Sequence, residues 1–269
     1  MKKLIAMLLA LVMVLALAAC GETETPSTTP AATTENTPVE TTEGTEPAAE
    51  VMTYAEYAAA ELDAAVTVEC YVQATQGWWE KEGKGVITVY AQDADGAYFI
   101  YEMKCEKADA EKLTEGTKIR VTGYKGEWSG EVEIMDGSFE FVEGADTFVA
   151  EAKDATELLG TEELINYQNQ KVSFKGMTVA AANEEGAAFL YKWDGSGKAG
   201  DDLYFNVSLG EATYTFCVES YLTGDGTEVY EAVEALKVGD VIDLEGFLYW
   251  YEGAQPHITS VEVMPTAAA

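Results

Sequence analysis

The chain has 269 residues, with 48 acids against 16 bases, one histidine and a formal charge of −32. Such a surplus favours solubility and works against phosphate polyanions and anionic lipid headgroups. One histidine leaves little for His-based nucleophilic catalysis, and a zinc site needs several Cys or His ligands close together.

Lys2 and Lys3 open the chain, an apolar run follows from Leu4 to Ala19, and Cys20 and Gly21 come next. This pattern reads as a secretory signal. A plain signal peptide or a single membrane helix are the alternatives, although a spanning helix needs ~20 apolar residues. The segment Leu17-Ala18-Ala19-Cys20 resembles the lipobox of bacterial lipoproteins. That resemblance implies cleavage before Cys20, a diacylglyceryl group on its thiol, and an anchored position on the extracytoplasmic face of the membrane. Loss of residues 1–19 removes two lysines and takes −32 to −34. Attachment would then come from acyl chains, at ~0.8 kcal/mol per buried methylene. Residues 20–50 are rich in Thr, Glu, Pro and Ala and carry one Val as their only large apolar side chain. They bury too little surface to offset ordering entropy and read as a disordered stalk, roughly 30 Å as a coil and about 100 Å when extended.

Thr53 and Glu56 form a capping-box pattern before a helix at Tyr54–Leu62. Strand one is expected over Val66–Thr75, strand two over Val86–Gln92 and strand three over Ala97–Cys105. Asp93-Ala-Asp-Gly96 makes the turn between the last two. A short helix at Ala108–Leu113 leads to strand four, Lys118–Lys125, and strand five is Glu131–Met135. The alternations Val66, Val68, Cys70, Val72 and Phe99, Tyr101, Met103, Cys105 place these residues toward the core. Cys70, Cys105 and Cys217 are three, an odd number beside the anchor cysteine, so they are no complete disulfide framework. They read as buried small hydrophobes, with a Cys70–Cys105 bridge as the alternative.

The second half repeats the first. Leu113-x-x-Gly116-x-x-Ile119-x-Val121-x-Gly123 matches Leu236-x-x-Gly239-x-x-Ile242-x-Leu244-x-Gly246 at a constant shift of 123 positions. The register continues from Trp128-Ser-Gly130 to Tyr251-Glu-Gly253. Upstream, Val66-Thr-Val68-Glu-Cys70 matches Val172-Ser-Phe174-Lys-Gly176 at a shift of 106, so the second copy carries 17 more residues. Residues 194–202 and 219–235 are the expected places for the insertion. The second copy reads as a helix at Ala155–Asn166 capped by Asp154 with a break near Gly160, then strands Lys171–Ala181, Ala188–Trp193 and Thr213–Val218, a helix Tyr230–Leu236, and strands Asp240–Trp250 and His257–Val263.

Five short strands with a helix between the third and fourth is the order of an OB-fold. Gly123, Gly246 and Gly176 stand where a strand bends to close a small barrel. The expected fold is all-β dominated: two tandem five-stranded OB-fold barrels, residues 51–148 and 149–264, behind a stalk. A pair of β-sandwiches is the alternative. On the glycine-spaced motifs quoted above, the chain resembles the tandem OB-fold lipoproteins of Gram-positive bacteria and the OB modules appended to their secreted nucleases. The resemblance covers about residues 51–264 and implies the fold, with little to say about ligand.

No nucleophile elbow or Gly-rich phosphate loop occurs. His257 reads as a satisfied strand residue. Asp93 with Asp95, and Asp201 with Asp202, read as turn residues ahead of calcium ligands. No catalysis, cofactor or metal is expected. The aromatic residues point elsewhere. Trp78 and Trp79 lie in the loop between strands one and two, Trp128 in the loop between strands four and five, and Tyr249, Trp250 and Tyr251 in the matching loop of the second copy. Those loops flank the ligand face of an OB-fold. Exposed indoles offer flat platforms for sugars and nucleobases alike; the alternative is that they plug the barrels or pack them together. Lys81, Lys84 and Lys125 near these loops are offset by Glu80, Glu82, Glu127 and Glu131, and Glu252 has no basic neighbour. Single-strand binders combine stacking with a positive groove. On charge, therefore, the expected partner is a glycan or a protein, with nucleic acid disfavoured. The competing readings are an accessory subunit of a surface transporter or enzyme, and an oligonucleotide-binding protein.

Overall fold

The computed structural model describes residues 50–265, all within one compact unit. The signal segment, Cys20 and the stalk up to residue 49 lie outside the described residues. The first barrel consists of β1 (Ala65–Thr75), β2 (Trp79–Lys81), β3 (Lys84–Gln92), β4 (Ala97–Lys104), β5 (Lys118–Trp128) and β6 (Glu131–Phe141). Helix α1 (Tyr54–Ala59) precedes it, and α2 (Lys107–Ala110) links β4 to β5. Thr53 caps α1 in a full capping box with Glu56.

The pairing runs β1-β5-β6-β4-β3 and closes through β3 back onto β1. Only β4 and β6 pair in parallel within this circuit. The second barrel repeats it with β8 (Lys171–Ala180), β10 (Leu203–Leu209), β11 (Ala212–Val218), β12 (Val241–Phe247) and β13 (His257–Val263), preceded by β7 (Lys153–Asp154) and flanked by β9 (Phe189–Tyr191). Here β11 and β13 form the parallel closure. Two helices, α3 (Ser220–Thr223) and α4 (Glu228–Glu234), occupy the place of α2. Two closed five-stranded barrels in this order are tandem OB folds in a chain dominated by β-structure.

Each barrel has its own apolar core. Val66, Val68, Cys70, Val72, Ile119 and Val121 fill the first. Val172, Phe174, Phe205, Phe216, Ile242 and Leu244 fill the second. The internal repeat marks the same bends in both: the register slips between Thr122 and Tyr124 in one copy and between Glu245 and Gly246 in the other. A Cβ on Gly246 would strike the backbone of His257 and Ile258. Only a residue without a side chain lets β12 and β13 approach so closely. Cys70, Cys105 and Cys217 are free thiols, all buried.

Three expectations are corrected. Strand two of the second copy is β10, and Phe189–Tyr191 is instead the flanking strand that pairs with it, as β2 pairs with β3. The mixed polar run before Leu203 hid the true strand. The expected helix at Ala155–Asn166 is two 3-10 turns, Thr156–Leu158 and Leu164–Tyr167, separated by Gly160 at φ 76°. Phe99 and Tyr101 do not join the first barrel's core, whose β4 members before the bulge are Tyr98 and Ile100. The alternation breaks after Ile100 and resumes at Met103, because β4 bulges opposite Thr88 with Glu102 at φ 45°.

The barrels meet through a shared aromatic layer. Tyr90 stacks on Phe247 at 4.6 Å and packs against Phe99. The Tyr90 hydroxyl and His257 Nδ1 are 2.7 Å apart. Gln168 Nε2 donates to the Gly130 carbonyl, Asn169 Nδ2 to that of Val132, and the Trp250 N–H to Glu131 Oε2.

Candidate functional site

A cavity of about 980 Å³ opens on the first barrel where the second meets it. Four rings stand at its mouth. Trp79, the first residue of β2, is 45% exposed, and Trp128, the last residue of β5, is 59% exposed. Tyr101 comes from β4, and Tyr221 arrives from α3 of the second barrel. Phe99, Tyr249 and His257 form the inner wall.

Local sequence explains the placement of these rings. The two-residue turn Ser129-Gly130 has φ of 50° and 94°, a hairpin geometry that suits glycine. It ends β5 at Trp128 with the indole outward. Adjacent strand residues ordinarily face opposite ways. The β4 bulge cancels that rule, so Tyr101 and Glu102 both reach the cavity. Bulges commonly re-aim side chains beside sites.

The polar lining is acidic. Glu102, Glu133 and Glu219 all face the cavity. Burial pushes the Glu133 carboxyl up to about 7, with the Glu102 charge adding to the shift. Burial also pushes Glu219 up to about 7, against hydrogen bonds from the Tyr221 N–H and Gln76 Nε2. Desolvation lowers His257 to about 3, so its ring is neutral and stacks on Tyr249 at 4.2 Å. Lys81 pairs with Glu102 and sits 5.8 Å from the Tyr101 ring and 6.0 Å from the Trp79 ring.

The six aromatic candidates separate. Trp79 and Trp128 both stand exposed at the cavity mouth. Trp78 lines the cavity too, but its indole donates to the Cys105 carbonyl at 2.9 Å and packs on the first core. Tyr249 is an inner wall. Trp250 is absent from the lining; it packs on the second core, where its ring lies over Gly130. Tyr251 belongs with Trp193 to a neighbouring cavity of about 490 Å³ on the second barrel, which shares Glu219, Tyr249 and His257 with the first. Residues missed from sequence are Tyr101, Glu102, Glu133, Glu219, Tyr221 and His257. No sequence signal marked them, because Phe99, Tyr101, Met103 and Cys105 read as an unbroken alternation and the bulge shows only in the β3–β4 pairing.

The acidic turns have local work. Asp93 Oδ1 accepts from the N–H groups of Asp95 and Gly96, and its Oδ2 accepts from the Tyr98 hydroxyl. Asp202 Oδ1 accepts from the Ser220 N–H and hydroxyl, and Asp201 Oδ2 from the Lys198 N–H.

The class defined by fold and site is a tandem OB-fold chain with an aromatic, carboxylate-lined groove where its barrels meet. No family model matches the chain, and no curated protein matches it. Solved structures do. One is a murine DNA-binding protein bound with double-stranded DNA, at 13% identity and a TM-score of 0.35, covering 76% of this chain and 97% of that one. Another is the Ifi202 HINa domain in complex with 20-bp double-stranded DNA, at 14% identity and a TM-score of 0.33, covering 75% and 98%. A third is a replication protein A heterotrimer bound to single-stranded DNA, at 12% identity and a TM-score of 0.30, covering 76% and 49%. At these scores the fold rests on the strand order. The expectation that nucleic acid is disfavoured is corrected: structures similar to this chain include ones solved with DNA bound.

Proposed function

We propose that this is a non-catalytic binding protein that holds a ring-bearing ligand, foremost a carbohydrate, in the aromatic groove of its first barrel. The observation that carries this reading is the pair of exposed indoles, Trp79 and Trp128, at the mouth of a cavity with an acceptor-rich wall. A sugar presents an apolar C–H face to such a ring and hydroxyl donors to carboxylates. The same rings suit nucleobases, whose stacking is sequence-tolerant, so an oligonucleotide is the second reading. An accessory role beside a surface transporter or enzyme is the third. In the same proposal Cys20 carries lipid, and the stalk displays the barrels outside the membrane.

A glycan array and a panel of short DNA and RNA strands, applied to the purified chain and to its Trp128→Ala variant, test the reading. Glycan binding that weakens on Trp128→Ala supports it. Binding of strands alone, falling steeply with salt, transfers the groove to nucleic acid. Binding that ignores Trp128→Ala refutes the groove as the site.

A further inference from the structure

Glu133 is 94% buried on the groove wall, going by its 6% exposure, and it has no hydrogen-bond or ion-pair partner among the described residues. Every other carboxylate of the groove is engaged. Glu219 accepts from Gln76 and Tyr221, and Glu102 holds Lys81. Its carboxylate oxygens open onto the groove with no protein donor, so a ligand donor entering there meets an uncommitted acceptor.

The groove also contains its own example of what it takes. The Lys81 ammonium rests on the Glu102 carboxylate between the Tyr101 and Trp79 rings. An ammonium between a carboxylate and aromatic faces is favoured by ion pairing and by the ring quadrupoles together. Glu133 repeats half of that arrangement: a carboxylate paired across from Phe99 in the β4–β6 ladder and near Tyr249, with no cationic side chain on it among the described residues. The groups facing it are Glu102 and Tyr101 from β4, and Glu219, Tyr249 and His257 from the second barrel. None is a cation, since His257 is held neutral by burial.

We propose that Glu133 is the anchor for a protonated primary amine on the ligand, so that the groove selects amino sugars over neutral and N-acetylated ones. This rests on the carbohydrate reading of the groove. The amine would sit on the Glu133 carboxylate while sugar rings stack at Trp79 and Trp128.

The test is calorimetric titration of the purified full chain, and of Glu133→Gln and Trp128→Ala, with glucosamine, N-acetylglucosamine and glucose tetramers at neutral pH and physiological salt. The expected result is tighter binding of the glucosamine tetramer by about ten- to hundredfold, the range for a hydrogen bond to a charged group. Glu133→Gln should erase that preference, so that the variant binds the glucosamine and glucose tetramers alike, and an unchanged circular dichroism spectrum and thermal midpoint show that it is folded. Equal affinity for all three tetramers in the wild type overturns the amine anchor and leaves the carbohydrate reading standing. Equal loss for all three in Glu133→Gln also overturns the anchor. Failure of every tetramer to bind overturns the carbohydrate reading, and the anchor falls with it.

Discussion

Replacing Glu131 by Gln should stabilise the protein at alkaline pH. Glu131 is fully buried between the barrels, and burial pushes its carboxyl up to about 8, with Glu133 adding a little, against hydrogen bonds that pull it down. Its Oε2 accepts the Trp250 N–H at 2.8 Å, while its Oε1 finds no donor. The neighbouring Asn169 commits its amide to Val132, and its Oδ1 also lacks a donor. Two buried acceptors without donors are what a neutral acid would satisfy, with the proton on the carboxyl serving as donor. Below pH 4.5 folded and unfolded chains both hold this proton, and it contributes nothing. Between 4.5 and about 8 the unfolded chain has released it while the folded chain keeps it, so rising pH favours unfolding. Above 8 the full cost persists. The shift corresponds to at most roughly 5 kcal/mol, and to about 1–3 kcal/mol once the interface relaxes and admits water. Gln keeps the acceptor for Trp250 and supplies a permanent N–H donor. Urea melts at pH 5, 7 and 8.5 measure the difference. Wild type and Glu131→Gln should match at pH 5 and diverge by about 1–3 kcal/mol in favour of the variant at pH 8.5. Parallel pH dependences, or a variant that is less stable at pH 8.5, would refute the reasoning.

Gly246→Ala should cost about 1–3 kcal/mol or more, because the added methyl meets the His257 and Ile258 backbone; an unchanged thermal midpoint would mean that the β12–β13 approach is looser than described. Trp128→Ala should lower ligand affinity by about 1–3 kcal/mol and shift stability by no more than about 0.5 kcal/mol, since its ring stands in the open; a large loss in a denaturant melt would make it structural. Fragments 51–148 and 149–269 should each melt cooperatively with a β-rich circular dichroism spectrum, since each holds a complete apolar core; if neither does, the aromatic layer around Tyr90 and Phe247 is a common nucleus. Cys20→Ala should abolish incorporation of labelled fatty acid in a bacterial host, and equal labelling of the variant would sink the lipid anchor.

Much of the fold was legible because its causes are local. Alternation along Val66–Val72 marks a half-buried strand wherever it occurs. The glycines at 123 and 246 announce their bends through one constant shift. Site residues fared unevenly for the same reason. Trp79 and Trp128 lie beside turns whose position the chain itself declares, and both proved exposed. Trp250 looks equivalent by composition, yet it faces the opposite way and closes over Gly130. Tyr101 was expected on the core side with Phe99, but Tyr98 and Ile100 hold that side, so Phe99 and Tyr101 face the groove and the one-residue bulge adds Glu102 to them.

The sequence by itself determined the two barrels, their order and the places where they bend, because hydrophobic period and turn chemistry act over a few residues. Tertiary structure alone decided the site. Glu131 and Glu133 alternate with Val132 and Ile134, a pattern that reads as a solvated outer face of a strand. The packing of the second barrel onto that face buries Glu131 fully and Glu133 in large part, and pushes both carboxyl groups up toward neutrality. It also brings Glu219, Tyr221, Tyr249 and His257 to a groove more than eighty residues from their place in the chain. Desolvation depends on what covers a side chain, and nothing in its own neighbourhood along the sequence says what that will be.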